Sequence, residues 1–321
     1  AGLLAATAAT ADDASVLTVY THDSFVSDWG PGPAVKEAFE ATCDCTLEFV
    51  AAGDGAALLS RLRLEGERTK ADVVLGLDTN LVSAARETGL FASHPIDDAD
   101  FDLPIVWADE VFLPFDWGYF AFVHNTDLTD VPSDFRALAD SDVSIVIQDP
   151  RSSTPGLGLL LWVKSAYGDD AAGIWAGLAD NIVTVTPGWS EAYGLFLEGE
   201  ADMVLSYTTS PAYHLFAEED AGKAAARFGE GHYMQLEVAA KLATSGQPEL
   251  ADAFLEFMLE DEFQSVIPTT NWMYPAVTPG GGLPDGFETL IAPDRALIYP
   301  PEEAAALRDT ALEEWLTALS R

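Results

Sequence analysis

The sequence predicts an α/β protein of two lobes joined by two crossing strands. Three observations carry this. Short β-branched runs alternate with helix-period segments from Val16 onward, which suits a mostly parallel sheet covered on both faces. A second series of the same kind begins after "FLPFDWGYFAFVHNT". The runs Trp117–Phe122 and Tyr233–Ala239 are too long and too apolar for surface loops, so they read as strands passing between lobes. The implied division is residues 16–118 plus 237–321 for one lobe and 119–236 for the other. Residues 1–15, small and polar, read as a flexible spacer left after a leader or anchor is removed.

In the first lobe Val16–Thr21 reads as a strand, Pro33–Ala41 as a helix with Val35, Ala38 and Phe39 on its apolar side, and Thr46–Ala51 as a strand. Asp54 opens a helix carrying Leu58, Leu59, Leu62 and Leu64; Asp72–Leu77 is a buried strand and Thr79–Thr88 a helix. The second lobe reads as strand Val143–Ile147, a helix after Thr154, a helix over Asp170–Leu178 and strand Ile182–Val185. Helix Ser190–Leu197 and strand Met203–Ser206 complete it. Helical patterns at Pro248–Leu259, Asp261–Ile267, Phe287–Ile291 and Glu302–Leu319 end the chain and are expected to pack back on the first lobe.

The 321 residues carry 53 Asp plus Glu against 15 Lys plus Arg, a formal charge of −38. The acidic residues are spread along the chain rather than gathered in a tail, which marks a surface property and suits a salt-rich medium, where the Debye length falls to ~3 Å at 1 M. Nucleic-acid binding is disfavoured, because it needs clustered Lys and Arg. No run reaches the ~20 apolar residues of a membrane span. Cys43 and Cys45 are too few for a zinc site and stand as a local disulfide or two thiols.

The stretch "QDPRSSTPGLGLLLW" ends a strand and starts a helix with hydroxyls and a Pro, the form of a helix N-terminus able to hold an anion. "SYTTSPAYH" repeats that pattern after a second strand, and the two converge if their strands lie side by side. His22, Asp23 and Trp29 follow the first strand as cleft or ordinary loop residues. Asp54 in "AAGDG" and Asp78 or Thr79 in "GLDTN" read first as helix caps. Trp189 is either a hydrophobic staple or an exposed stacking plate, and Asn271 and Trp272 in "TTNWMYP" stand ready to close a cleft. No G-x-S-x-G, P-loop, G-x-G-x-x-G or H-E-x-x-H motif is present, and the five His are scattered. Aromatic faces, a few carboxylates and hydroxyl-rich helix starts suit binding a flat, cationic, partly phosphorylated molecule better than catalysis.

The strings "LTVYTHDSFVSDWGPGP", "CDC", "ADVVLGLD", "FLPFDWGYFAFV", "QDPRSSTPGLGLLLW", "GWSEAYGLFL", "LSYTTSPAYH", "GHYMQ" and "NWMYP" resemble the thiamine-binding periplasmic proteins of ABC importers, over almost the whole chain from Leu17 to Arg321. The resemblance implies a type II periplasmic-binding-protein-like fold with its ligand cleft between the lobes. It also implies an extracytoplasmic monomer without a cofactor, metal or catalytic residue, which delivers thiamine or its mono- and diphosphate esters to a membrane permease. Carried over by position, it implies ligand contacts from Asp54 and Gly55, from Ser153 and Thr154 at the hydroxyethyl or phosphate end, and from Trp189. Tyr207, Thr208, Thr209 and Ser210 continue the site, with Tyr213 and Trp272 as aromatic walls. His22 stands where the family usually has a tyrosine, exchanging a phenol wall for a smaller ring able to titrate. Two alternatives remain: a ferric-ion-binding protein using His22, Asp54, Tyr207 and Tyr213, and a thiaminase-like enzyme with a cysteine nucleophile.

Overall fold

A computed structural model describes residues 15–97 and 99–320. The spacer expected over 1–15 lies, but for its last residue, outside the described residues. The chain begins with β1 (Ser15–Thr21), the single turn α1 (Asp23–Val26), α2 (Gly32–Glu40), β2 (Cys45–Ala51), α3 (Gly55–Glu65), β3 (Val73–Asp78), α4 (Val82–Arg86) and the short β4 (Phe91–Ala92). The 13-residue β5 (Leu113–Asn125) leads to α5 (Phe135–Ala139), β6 (Ile145–Gln148), α6 (Thr154–Tyr167), α7 (Ala171–Leu178) and β7 (Ile182–Thr186). Next come α8 (Trp189–Leu197), β8 (Met203–Tyr207), α9 (Pro211–Ala217) and β9 (Lys223–Ala225), before β10 (His232–Leu242) returns. The rest is α10 (Pro248–Phe257), α11 (Asp261–Gln264), β11 (Tyr274–Pro275), β12 (Ala296–Leu297) and α12 (Pro301–Leu319).

The main strand order is β2-β1-β3-β10-β5-β8-β6-β7. β1 runs parallel to β2 and β3 at one end, and β6 runs parallel to β7 and β8 at the other. Between them β5 and β10 pair antiparallel, Met234 opposite Tyr119 and Leu236 opposite Trp117. β5 spends its first half on β10 and its second half on β8, from Phe120 opposite Tyr207 to His124 opposite Met203. The two apolar runs are therefore the strands that cross between the lobes, and every residue of β10 is buried.

Three elements differ from the expectation. The helix over Thr79–Thr88 shortens to α4, because the Asp78 carboxylate accepts from the Asn80 N–H at 2.8 Å and turns the chain before a helix can start. Asp78 and Thr79 are thus not its caps. Phe287–Ile291 condenses to one 3₁₀ turn, Phe287–Thr289. The last helix does not pack chiefly on the first lobe: α12 lies mainly against α6 and α7, and Lys164 on α6 pairs with Glu314 at 2.7 Å. Ala311 and Trp315 are buried in the cluster that α6 and α7 share, which is the apolar gain that seats the helix there. α10 and α11 do cover the first lobe, with Phe39 edge-on to Phe254 at 5.1 Å. Cys43 and Cys45 form a disulfide at the start of β2. Trp162, fully buried, donates its indole N–H to the Gly231 carbonyl at 2.9 Å; replacing it by Ala would cost about 3–5 kcal/mol.

Candidate functional site

Parallel strands of both lobes end at one gap, the usual ligand position in such sheets. β1 delivers His22 there, β2 leads to Asp54 and Gly55, β6 leads to Thr154, and β8 to Tyr207 and Ser210. Because β6 and β8 are neighbours, the two hydroxyl-rich helix starts do converge. The gap holds a cavity of about 280 Å³, at the small end of the ~300–1,000 Å³ common for small-molecule sites.

Nine of the twelve positions expected from sequence line it: His22, Asp54, Gly55, Thr154, Trp189, Tyr207, Ser210, Tyr213 and Trp272. Ser153, Thr208 and Thr209 do not. Ser153 spends its hydroxyl on Asp54 at 2.7 Å, so it bridges the lobes instead of facing the cavity. Thr208 and Thr209 are the fully buried inner residues of the turn that closes when the Ser210 N–H donates to the Tyr207 carbonyl.

The aromatic walls are held from behind. The Trp189 indole stacks on Tyr193 with centroids 5.0 Å apart and donates to the Ser206 hydroxyl at 2.8 Å, so it is a fixed plate rather than a staple. Trp29, half exposed, tilts against it from the other lobe at 6.2 Å. Tyr213 and Trp272 meet edge to face at 5.5 Å. The Tyr207 hydroxyl accepts from Gln235 Nε2 at 2.9 Å, and burial pushes its ionisation well above the ordinary phenol range.

Asp54 occupies the N-cap position of α3 without capping it. Its carboxylate reaches into the other lobe, accepting from Ser153 Oγ at 2.7 Å and from the Trp189 N–H at 3.1 Å, the first N–H of α8. Burial raises its pKa, opposed chiefly by the Ser153 bond. Such an approach needs Gly55, where a Cβ would stand 2.5 Å from Thr154 Oγ1 and 2.9 Å from the Gly76 carbonyl. His22 is buried, not an ordinary loop residue. Its Nδ1 accepts from the Phe25 N–H at 3.3 Å, which assigns the proton of the neutral ring to Nε2, 3.5 Å from Glu237 Oε2. Burial lowers its pKa against the pull of Asp54, Asp116 and Asp23. Gly76, at φ +103°, leaves room for the ring: a Cβ there would lie 2.5 Å from it.

Sequence reasoning missed Tyr193, Met273, Glu237 and the Asp116 behind it. The available signal was a charged residue inside each apolar crossing strand, "LPFDWGYF" and "MQLEVAA". Burial, with help from the Glu237 charge, raises Asp116 well above the usual carboxylate range, and raises Asp78 to about 6. No Lys or Arg lines the cavity.

The alternatives fare poorly on geometry. The Tyr213 hydroxyl donates to Glu218 at 3.0 Å, and among the described residues the one group placed to hold a metal is His214, Glu218 and Asp220, not the four residues imagined for iron. Both cysteines are bonded to each other and lie outside the cavity, leaving no thiol nucleophile there.

Residues 31–265 match the model of the bacterial extracellular solute-binding proteins. The thiamine-binding periplasmic protein of Escherichia coli is 56% identical over 309 residues, 95% of this chain and 94% of that one. A solved periplasmic thiamin binding protein superposes with TM-score 0.94 at 54% identity, covering 100% of both chains. Iron-bound HitA of Pseudomonas aeruginosa shares the fold alone, with TM-score 0.72 at 22% identity over 95% of this chain and 97% of that one.

Proposed function

The chain belongs to the bacterial extracellular solute-binding protein family, and from that premise we propose that it captures thiamine outside the cytoplasm and passes it to an ABC importer. The observation that carries this reading is the chemistry of the cavity: facing aromatic plates, the carboxyls of Asp54 and Glu237, and no Lys or Arg. A thiazolium ring gains roughly 0.5–2 kcal/mol from each aromatic face. The high identity to proteins named for thiamine supports the same ligand.

Trp189 and Trp272 then flank the rings, and Thr154 Oγ1, buried without a partner among the described residues, takes the hydroxyethyl end or its phosphate ester at the start of α6. His22, Gly55, Tyr207, Ser210 and Tyr213 complete the contact surface, while Ser153, Thr208 and Thr209 support it from behind. The protein acts as a monomeric carrier without catalysis or a resident cofactor, and its partner is a membrane permease. Its acidic surface suits a salt-rich medium, with Lys164 and Lys241 committed to carboxylates.

Calorimetric titration at high salt with thiamine and its mono- and diphosphate esters tests this. Heat with thiamine, together with quenching of tryptophan fluorescence, is expected; no heat with any of the three would overturn the reading.

A further inference from the structure

Four carboxyls, those of Asp54, Asp78, Asp116 and Glu237, gather around the base of the cavity. Asp54 accepts from Ser153 and Trp189, Asp78 from the Asn80 N–H, and Asp116 from Asn271 Nδ2 at 2.5 Å. The Glu237 carboxyl has only uncharged or acidic neighbours to bond with, Asp116 and Asn271, and its one ion-pair contact among the described residues is the His22 ring at 3.5 Å. Strand register makes the arrangement crowded. Glu237 stands directly opposite Asp78 on β3 and directly opposite Asp116 on β5. Directly opposed residues share a face of the sheet with Cβ atoms about 4.5–5.5 Å apart, so like charges there repel. A buried carboxylate without a lysine or arginine beside it is costly, and no Lys or Arg lines the cavity to relieve it.

Resting on the reading that the occupant is a permanent organic cation, we infer that Glu237 is its charge partner and that the Asp116–Glu237 pair gives up one proton when the cation enters. The O–H bond of the Glu237 carboxyl breaks, the proton passes to the buffer, and the fixed charge of the ligand balances the carboxylate left behind. No bond to the ligand forms. The groups facing Glu237 are His22 after β1, Asp54 before α3, Asp78 on β3, Asp116 on β5 and Tyr207 at the end of β8, with Arg308 felt only through Asp78. Asp54 is poorly suited to the role, because two donors of the other lobe already compensate it. Burial first, then the charges of Asp78 and Asp54, raises the Glu237 carboxyl to about 8. Below that pH the cation must displace a proton, so affinity climbs with pH and levels off above it.

Thiamine is titrated calorimetrically from about pH 6.5 to about pH 8.5, above the titration of its own aminopyrimidine, in phosphate and in Tris, whose ionisation heats differ. Wild-type affinity is expected to rise roughly tenfold or more across that window, with close to one proton released at its acidic end. Glu237→Gln is expected to bind more weakly, with less than about a twofold change and no buffer-dependent heat. Should that variant fail to fold, the wild-type proton count decides alone. Thiamine binding that is independent of pH and buffer, or a folded Glu237→Gln that keeps the full pH dependence, overturns the inference and leaves the thiamine reading standing. No thiamine binding at any pH removes both.

Discussion

The two walls of the cavity are built from different chemistry. The wall from β1, β2, β3 and the crossing strands presents His22, Asp54 and Glu237, with Asp78 and Asp116 behind. The wall after β6, β7 and β8 presents Thr154, Trp189, Tyr193, Tyr207 and Ser210, with the first turns of α6 and α8 beside them. One side carries negative charge that is hard to bury; the other carries N–H groups, hydroxyls and rings. Each supplies what the other lacks, and Asp54 is where they touch, donated to by Ser153 and Trp189. The contact that joins the lobes thus lies among the groups that line the cavity. The two charge-assisted hydrogen bonds on Asp54 tie the lobes together, beside a Glu237 carboxyl that no Lys or Arg faces.

The sharpest way to break this division of labour is Asp54→Ala, which removes charge and latch together. Loss of hydrogen bonds to a charged group, about 1.5–3 kcal/mol, should weaken thiamine binding roughly ten- to hundredfold by calorimetry. Asp54→Asn, which keeps an acceptor for Ser153 and Trp189, should fall between; equal losses in both would mean that the latch contributes nothing. On the opposite wall Trp189→Ala should cost about 1.4 kcal/mol, roughly tenfold, and abolish most of the fluorescence quench. An unchanged affinity there would show that the stacking wall is Trp272 and Tyr213 instead.

A smaller effect tests closure alone. Gly55→Ala puts a methyl 2.5 Å from Thr154 Oγ1, so the lobes should stay slightly apart. A several-fold loss of affinity is expected, with no ligand-induced contraction in small-angle scattering. The smallest effect is on the empty protein. Because the native Glu237 carboxyl is raised to about 8 while the unfolded one titrates near 4.3, the native state holds the extra proton between those values, and stability falls as pH rises through that window. The drop in Tm between about pH 5 and about pH 8 should be visibly smaller in Glu237→Gln; an identical drop would mean that another buried acid, such as Asp116, dominates.

Much of this was legible in the chain. Two helix starts, "SSTPG" at Ser152–Gly156 and "TTSPA" at Thr208–Ala212, announce themselves because Ser, Thr and Pro favour first turns for local reasons. The crossing strands were legible because apolar runs of that length have nowhere to go but the interior. Asp54 read first as a cap, since a cap depends on neighbours in sequence; its partner Ser153 lies 99 residues away. The packing of α12 is not legible for a related reason: its small-residue face, Ala304, Ala311 and Ala318, does not say which lobe will cover it.

Local backbone preference and hydrophobic period account for the alternation of strands and helices, the two crossings and the two hydroxyl-rich helix starts, and composition accounts for the excess of acid. Folding in three dimensions adds that the two helix starts converge, that Asp78, Glu237 and Asp116 stand in one row, and that Ser153 and Trp189 bond to Asp54. Those facts depend on strand register and lobe contact, where a shift of one residue turns a side chain to the opposite face and no neighbour in the sequence records which way it points.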